Sequence, residues 1–268
     1  MLLSKYKKKK KFLLDRKKKW AGRNNTGRVT VAHQGGGHKQ LYRNINFVEQ
    51  FDNGIVVNLE YDPNRTAKIA KIYTKDNKNN MKFNYILAPQ NLKILDIISS
   101  SQTPFFLNND ILSQKQVGSF YLLSDLLVGD LVYNIELFPN KGGRYVRSAG
   151  TFAEILNKTE EHVTVKMPSG EQRMFYAECR ACLGSVSNEN HFHTVVGKAG
   201  KSRWLNKRPT VRGVAMNPID HPHGGNTCGG IQPKTPWARL TKGIPTRSSK
   251  KKNKLILKYY KNRNTIKQ

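Results

Sequence analysis

The segment NPIDHPHGG, at residues 217–225, concentrates residue types that can do chemistry, because an aspartate and two histidines lie among prolines and glycines. Asp220, His221 and His223 could hold a metal ion, or a histidine beside the carboxylate could act as a general base. Pro222 stiffens the backbone between the histidines, and in an extended strand their rings would point to opposite sides. We therefore favour a rigid binding loop that is ordered at low entropic cost, with metal binding and proton transfer as the alternatives.

The charge of the chain is large and uneven. There are 47 Lys+Arg and 18 Asp+Glu in 268 residues, for a formal net charge of +29. Residues 1–28 hold 12 basic and 1 acidic side chains, residues 29–197 hold 17 and 16, and residues 198–268 hold 18 and 1. The middle can therefore fold as an ordinary globular protein, whereas the ends need a polyanion. No apolar run reaches the roughly 20 residues of a membrane helix, so we expect no membrane span and favour nucleic acid as the polyanion.

Three cysteines, Cys179, Cys182 and Cys228, are too sparse and odd a set for a disulfide-stapled secreted protein, so we expect a reducing compartment. Cys179 and Cys182 form the pair CRAC, and His191 and His193 follow shortly after it. A structural zinc site usually has two clear ligand pairs, and a single CxxC is a weak signal. We therefore predict buried thiols and no resident cofactor, with zinc at Cys179 and Cys182 as the disfavoured alternative.

Short alternating segments separated by turn residues indicate a mainly β fold. Residues 27–98 contain five of them, GRVTVAHQ, YRNINFVEQF, GIVVNLEYD, AKIAKIYTKD and KFNYILAP, which predict an OB-like barrel. Residues 99–190 begin with a polar linker and continue as strands around a hairpin turn at 168–170, which predicts an SH3-like barrel. The flanking regions, 1–26 and 191–268, are predicted to be basic and extended, with too few apolar residues for a core.

Two glycine-rich segments are candidates for contact with phosphates. HQGGGHK, at residues 33–39, would let the backbone approach a phosphate closely, although a flexible hairpin turn explains the same pattern. GKAGKSRW, at residues 197–204, is not a nucleotide-binding phosphate loop, because Val195 stands where that motif requires glycine. Its cations instead suit a nucleic-acid backbone, and Trp204 suits a stacked base, with a packing anchor as the alternative role of this tryptophan.

These segments resemble a known family. GRNNTGRVTVAHQGGGHK, YDPNRTAKIA, NKGGRYVRSAG, MPSGEQRMFYAECRA, VGKAGKSRW and RPTVRGVAMNPIDHPHGG are similar, in this order, to the universal large-subunit ribosomal protein L2 family. The resemblance implies two barrels bound to large-subunit ribosomal RNA and an extension toward the peptidyl transferase region. It also implies a non-enzymatic role in subunit association and in assembly of the peptidyl transferase centre. The implied partners are ribosomal RNA with its magnesium ions, neighbouring ribosomal proteins and the small subunit across the subunit interface.

The resemblance and the basic composition together predict the residues that contact RNA. They are Arg23, Asn24, Asn25, Arg28, His33, Gly35, Gly36, Gly37, His38, Lys39, Arg43, Lys198, Lys201, Arg203, Trp204, Arg208, Arg212, Asn217, Asp220, His221, His223, Gly224 and Gly225. Among them, His221 matches the family histidine once suspected of a direct role in peptide-bond formation. We expect it to shape a loop rather than to catalyse.

The amino-acid composition gives an indication of the cellular compartment in which the chain works. Lysine, asparagine and isoleucine are frequent, and Ala32 and Cys182 stand where the family often has arginine and threonine. These features favour a mitochondrially encoded member in the mitochondrial matrix, with a plastid or the bacterial cytoplasm as alternatives. Two rival functions stay open at this point: a metal-dependent nuclease that uses the histidines and Asp220, and a general coat for nucleic acids.

Overall fold

A computed structural model describes residues 13–48, 51, 53–75, 81–100, 115–225, 231–244 and 255–258. Cys228, most of the predicted linker and parts of both basic tails lie outside the described residues. The chain forms two compact units. We call the first, Met1–Lys17 with Gln40–Thr194 and Lys254–Gln268, the body, and the second, Lys18–Lys39 with Val195–Asn253, the basic unit.

The first part of the body is a four-stranded antiparallel sheet. Its strands are β3 (Asn53–Glu60), β4 (Ile69–Lys75), β5 (Met81–Leu87) and β6 (Ile97–Ser99), in the order β5-β4-β3-β6, and β1 (Leu14–Arg16) pairs separately with β2 (Leu41–Arg43). Three of the five predicted strand segments therefore form neighbouring strands of one sheet. The β-branched residues of β4, among them Ile69 and Ile72, are fully buried because this strand has a partner on each side.

A bulge changes the face that β3 buries. The sequence alternation groups Val57 with Leu59 and Tyr61, but the buried residue is Val56, and Tyr61 is exposed. The pairing of β3 with β4 shifts between Val56 and Asn58, so one extra residue in β3 moves the following side chains to the other face. Leu59 packs against the core only because of this shift.

The second part of the body is a seven-stranded antiparallel sheet in the order β15-β13-β12-β11-β8-β14-β7. Its strands are β7 (Phe120–Leu122), β8 (Leu131–Tyr133), β11 (Ala153–Lys158), β12 (His162–Lys166), β13 (Gln172–Tyr176), β14 (Arg180–Leu183) and β15 (Ile256–Lys258), while β9 (Ile135–Glu136) pairs with β10 (Gly143–Tyr145). The predicted hairpin is confirmed: Lys166 faces Gln172 across the turn, and Gly170 donates its N–H to the Met167 carbonyl.

The core of the body joins the two sheets. Val56 and Ile72 of the first sheet belong to the same buried cluster as Phe120, Tyr133 and Cys182 of the second region. A second cluster lies within the larger sheet, where Val163 and Val165 alternate with more exposed neighbours as the sequence predicts. Burial of this apolar area is the main term that stabilises the body.

Cys179 and Cys182 are both buried thiols, as the sequence predicts. Burial raises the pKa of the Cys179 thiol to about 12, and the nearby Glu136 carboxylate acts in the same direction. A raised pKa keeps the sulfur protonated at neutral pH, whereas a nucleophile would need the thiolate.

The basic unit contains little regular structure. Its described elements are the helix α1 (Ala199–Trp204) and a 3-10 turn at Gly213–Ala215, and a 3-10 helix at Glu189–His193 lies in the described part of the body. The predicted strand GRVTVAHQ is wrong. Val29 and Val31 are exposed, and this segment makes only the isolated bridges Arg23 with Val29 and Gln34 with Lys207. Alternation produces a strand only where a partner strand is available to pair with it, and this segment has none.

Candidate nucleic-acid interface

The basic unit contains every predicted RNA-contacting residue except Arg43, which lies on β2 of the body. Two segments far apart in sequence form its frame. The Gly35 N–H donates to the Asn206 carbonyl at 3.0 Å, and the His38 N–H donates to the Trp204 carbonyl at 3.2 Å. In the other direction, the Arg208 N–H donates to the His33 carbonyl at 3.0 Å. Backbone pairing therefore places HQGGGHK beside the cations that follow α1.

The glycine run has a packing role in this frame. A Cβ atom at position 37 would lie 2.7 Å from the Asn206 backbone nitrogen and 2.8 Å from the Trp204 carbonyl oxygen. Real Cβ atoms do not approach backbone this closely, so only glycine permits the two segments to pair. The Asn206 side chain strengthens the contact through its oxygen, which accepts the Gly37 N–H at 3.3 Å.

The loop GRNNTGR is held by one of its own side chains. The Asn24 Oδ1 atom accepts the N–H groups of Thr26 and Arg28, each at 3.0 Å, and the Thr26 hydroxyl at 2.7 Å. This Asx-type turn leaves Asn25 and Arg28 exposed. Asn24 therefore sets the geometry of the loop, and its neighbours present the polar groups.

Electrostatically, the basic unit has nothing within itself to balance its charge. Its sequence holds eighteen basic side chains and one acidic side chain, Asp220. No ion pair occurs among its described residues, and all four ion pairs that the structure records lie in the body. No carboxylate neutralises a described cation of the basic unit, so the positive charge of these cations can attract an external polyanion.

All three tryptophans of the chain lie in the basic unit, and all are exposed. Trp20 is 66% exposed, Trp204 59% and Trp237 80%. The Lys198 Nζ atom lies 5.0 Å from the centroid of the Trp204 ring, a cation–π distance. Exposed rings among cations provide stacking faces for unpaired bases. Trp20 and Trp237 were not predicted, although tryptophans within basic, glycine-rich segments are a signal that the sequence contains.

The NPIDHPHGG loop is folded around His221. His221 is 7% exposed, and it is the one buried side chain among the described residues of the basic unit. Its Nδ1 atom accepts the His223 N–H at 3.0 Å, and its carbonyl accepts the Gly224 N–H at 2.8 Å. A Cβ atom at position 213 would lie 2.7 Å from the His221 ring, so Gly213 leaves the space that the imidazole fills.

The predicted orientation of the two histidines is wrong. Their ring centroids are 4.6 Å apart, because residues 222 and 223 lie in a turn rather than in an extended strand. Each ring nonetheless has a structural partner: the His223 Nε2 atom accepts the Lys234 N–H at 3.0 Å. Across the described part of the chain, no group of three or more His, Cys, Asp or Glu side chains is placed to hold a metal ion.

A cluster of arginines in the body was missed. The guanidinium carbon of Arg147 lies 4.8 Å from the centroid of the Phe47 ring, and that of Arg65 lies 5.8 Å from it. Burial lowers the pKa of Arg147, and the positive charges of Arg65 and Arg144 lower it further. The segments DPNR and RYVR carry these residues, but only the fold brings them together. Asp62 holds the Arg65 guanidinium at 2.6 Å, so the exposed Arg144 and Arg147 are the members of this cluster that suit phosphate oxygens.

Two family models match the chain: the RNA binding N-terminal domain of ribosomal proteins L2 matches residues 10–100, and their C-terminal domain matches residues 116–241. The large ribosomal subunit protein uL2m of Reclinomonas americana is 51% identical over 243 residues, which cover 88% of this chain and 83% of the relative.

The chain belongs to the ribosomal protein L2 family.

Bacterial relatives are also similar to this L2 chain. The uL2 protein of Nitrobacter hamburgensis is 46% identical over 92% of this chain and 86% of its own, and that of Buchnera aphidicola is 44% identical over 92% and 88%. Family membership agrees with the mainly β fold, an OB-like barrel followed by an SH3-like barrel. Within the described residues, no helix of this L2 protein is long and apolar enough to span a membrane.

Proposed function

We propose that the chain is a structural, non-enzymatic component of the large ribosomal subunit. It binds large-subunit ribosomal RNA and supports subunit association and assembly of the peptidyl transferase centre. The observation that carries the proposal is the composition of the basic unit, which has eighteen cations, one carboxylate and three exposed tryptophans on a frame of backbone hydrogen bonds. The names of the relatives and the RNA-binding N-terminal domain model support the same role.

RNA contact follows from the exposed groups of the basic unit. Lys198, at the start of α1, and Lys201 and Arg203, within it, neutralise phosphates, and Trp204 offers its free face to a base. The arginine cluster at Phe47 provides a second contact on the body. The resulting affinity depends steeply on salt, since each neutralised phosphate releases counterions.

The NPIDHPHGG loop acts through its shape. Its buried imidazole occupies the space beside Gly213 and accepts a backbone N–H, so the His221 Nδ1 atom is committed within the loop. The loop is therefore rigid before RNA binds, which reduces the entropy lost on association. We assign His221 to the support of assembly and subunit joining, with no proton transfer in peptide-bond formation.

A binding titration tests RNA recognition. The full chain is titrated with a transcript of large-subunit ribosomal RNA and with an unrelated duplex, across a series of salt concentrations. The variant Lys198→Gln/Lys201→Gln/Arg203→Gln is expected to lower the slope of log affinity against log salt by about 2 to 3. Its matched control replaces three exposed lysines of the body, Lys75, Lys82 and Lys93, with glutamine.

The control should retain the slope of the wild-type chain within about 1. Equal loss in the two variants would contradict a localised interface. Equal affinity for both RNAs at matched salt would favour the general nucleic-acid coat.

We propose further that the chain works in mitochondria. The similarity to the uL2m protein of Reclinomonas americana and the lysine-, asparagine- and isoleucine-rich composition support this compartment. Protease protection in intact, purified mitochondria tests it: the chain should resist added protease until detergent opens the inner membrane. Recovery with plastids or with cytosolic ribosomes would contradict the assignment.

A further inference from the structure

A groove in the body combines three aromatic rings with three carboxylates. Phe138, His162 and Tyr176 supply the rings, and Glu160, Glu161 and Glu178 supply the acids. None of these residues belongs to the RNA interface described above. Because the chain as a whole carries a charge of +29, a local concentration of negative charge on its body is unexpected.

The rings form a continuous apolar wall. His162 and Tyr176 are direct partners across β12 and β13, with ring centroids 5.2 Å apart, and the Phe138 ring lies 6.2 Å from that of Tyr176. Phe138 is 48% exposed and Tyr176 is 37% exposed, so both leave part of their ring surface open. The Ala177 N–H donates to the Glu161 carbonyl at 2.8 Å, which fixes the acidic end of the hairpin beside the rings.

The carboxylates of this groove are almost without partners. The carboxylates of Glu160 and Glu178 make no hydrogen bond or ion pair with another described residue. The Glu161 carboxylate has one contact of this kind, in which its Oε2 atom lies 3.8 Å from the His162 Nδ1 atom. Acids elsewhere in the body are engaged: Glu154 pairs with Lys166, and Glu136 accepts two backbone N–H groups. Unpaired carboxylates in a protein with 47 cations are available for an external cation.

We propose that this groove binds a lysine- or arginine-rich segment of a partner protein. The carboxylates pair with the cationic heads, while the aliphatic stems and the guanidinium planes lie along the aromatic wall. RNA does not fit, because three carboxylates would repel its phosphates. The groove is thus a protein-binding surface on a body whose other exposed clusters favour RNA.

Fluorescence anisotropy tests the proposal with a labelled peptide of alternating arginine and glycine. The full chain is titrated at physiological ionic strength, where a Debye length of about 8 Å screens its basic ends. The groove variant is Glu160→Gln/Glu161→Gln/Glu178→Gln. Since each exposed ion pair contributes modestly, we expect the three substitutions together to weaken peptide binding about tenfold.

The matched control removes three acids elsewhere on the body, Glu154→Gln/Glu171→Gln/Glu189→Gln, and should change the affinity less than about twofold. A second variant, Phe138→Ser/Tyr176→Ser, keeps every charge and should also weaken binding, because the aromatic wall is lost. Equal weakening by the groove and control variants would overturn the proposal, since the peptide would then sense net charge alone. So would full binding by the serine variant, or displacement of the peptide by equimolar magnesium.

Carbodiimide coupling in native large subunits completes the test, because the reagent joins carboxylates to lysine amines that touch them. The expected product links Glu160, Glu161 or Glu178 to a lysine of another protein chain. Protection of these carboxylates by ribosomal RNA alone, in a binary complex with the full chain, would show that RNA covers the groove and would overturn the proposal.

Discussion

The body and the basic unit are built by different physical means. Residues 40–194 of the body hold sixteen basic and sixteen acidic side chains and bury an apolar core shared by two sheets. The described residues of the basic unit bury only Gly35 and His221. The body is therefore stabilised by burial of its own apolar surface, while the basic unit depends on glycine-permitted backbone contacts and on neutralisation from outside.

Proteolysis should separate the two units most clearly. In the absence of RNA, trypsin is expected to cleave within 18–39 and 195–253 at least about a hundredfold faster than within residues 40–194 of the body, because local opening of the basic unit exposes little apolar surface. Addition of large-subunit ribosomal RNA should remove most of this difference. Mass spectrometry of the fragments over time provides the measurement. Equal resistance of both units without RNA would remove the contrast.

Core truncation sharpens the same contrast. Ile72→Ala, in the fully buried strand β4, is expected to lower the free energy of unfolding of the body by about 2 to 5 kcal/mol. Val211→Ala, at an exposed position of the basic unit, should change it by less than about 0.5 kcal/mol. Denaturant titrations followed by circular dichroism give both values. A comparable loss in the two variants would show that the basic unit shares the stability of the body.

His221 is the exception within the basic unit, since it is buried and hydrogen-bonded. His221→Ala leaves the His223 N–H without its acceptor, which costs about 1 to 3 kcal/mol within the loop and should weaken RNA binding about tenfold. His221→Asn supplies another acceptor and should recover part of the loss. Subunit assembly in gradients and peptide transfer are then measured side by side. A particle that assembles fully and loses only peptide transfer would contradict a structural role.

The buried thiol of Cys179 has an effect that is confined to alkaline pH. Its pKa is raised from 9.0 to about 12 in the folded body, so between these values the unfolded chain loses a proton that the folded chain retains. The free energy of unfolding must therefore fall as pH rises through this range. The Cys179→Ala variant should lose less stability between pH 9 and the upper limit, as followed by denaturant midpoints. Parallel curves for the two proteins would argue against the raised pKa.

Sequence periodicity predicted the body better than the basic unit. Val163 and Val165 alternate with polar neighbours and form a strand in the expected hairpin. They do so because β13 pairs with β12 in a sheet that can bury both side chains. Val29 and Val31 show the same alternation and form no strand. The pattern gives the spacing of apolar side chains but does not show whether a neighbouring strand exists.

Residue types were enough to predict the candidate site, but the sequence did not predict the contacts within it. The pairing of Gly37 with residues 204–206 joins segments that no local pattern relates. The arginine cluster at Phe47 likewise needs DPNR and RYVR to meet in three dimensions. The turn at Pro222 reversed the expected orientation of His221 and His223, because proline fixes φ and leaves ψ free to choose between a strand and a turn.

We infer that this chain is an integral, RNA-bound part of the large ribosomal subunit. The most direct test of this inference is sedimentation of the native chain from a lysate of its source cells through a sucrose gradient, before and after a high-salt wash. We expect the chain to stay with large-subunit ribosomal RNA after the wash, because loosely held basic proteins are released while a protein with two RNA-contacting surfaces is retained. Migration as a free protein, or release at modest salt, would contradict it.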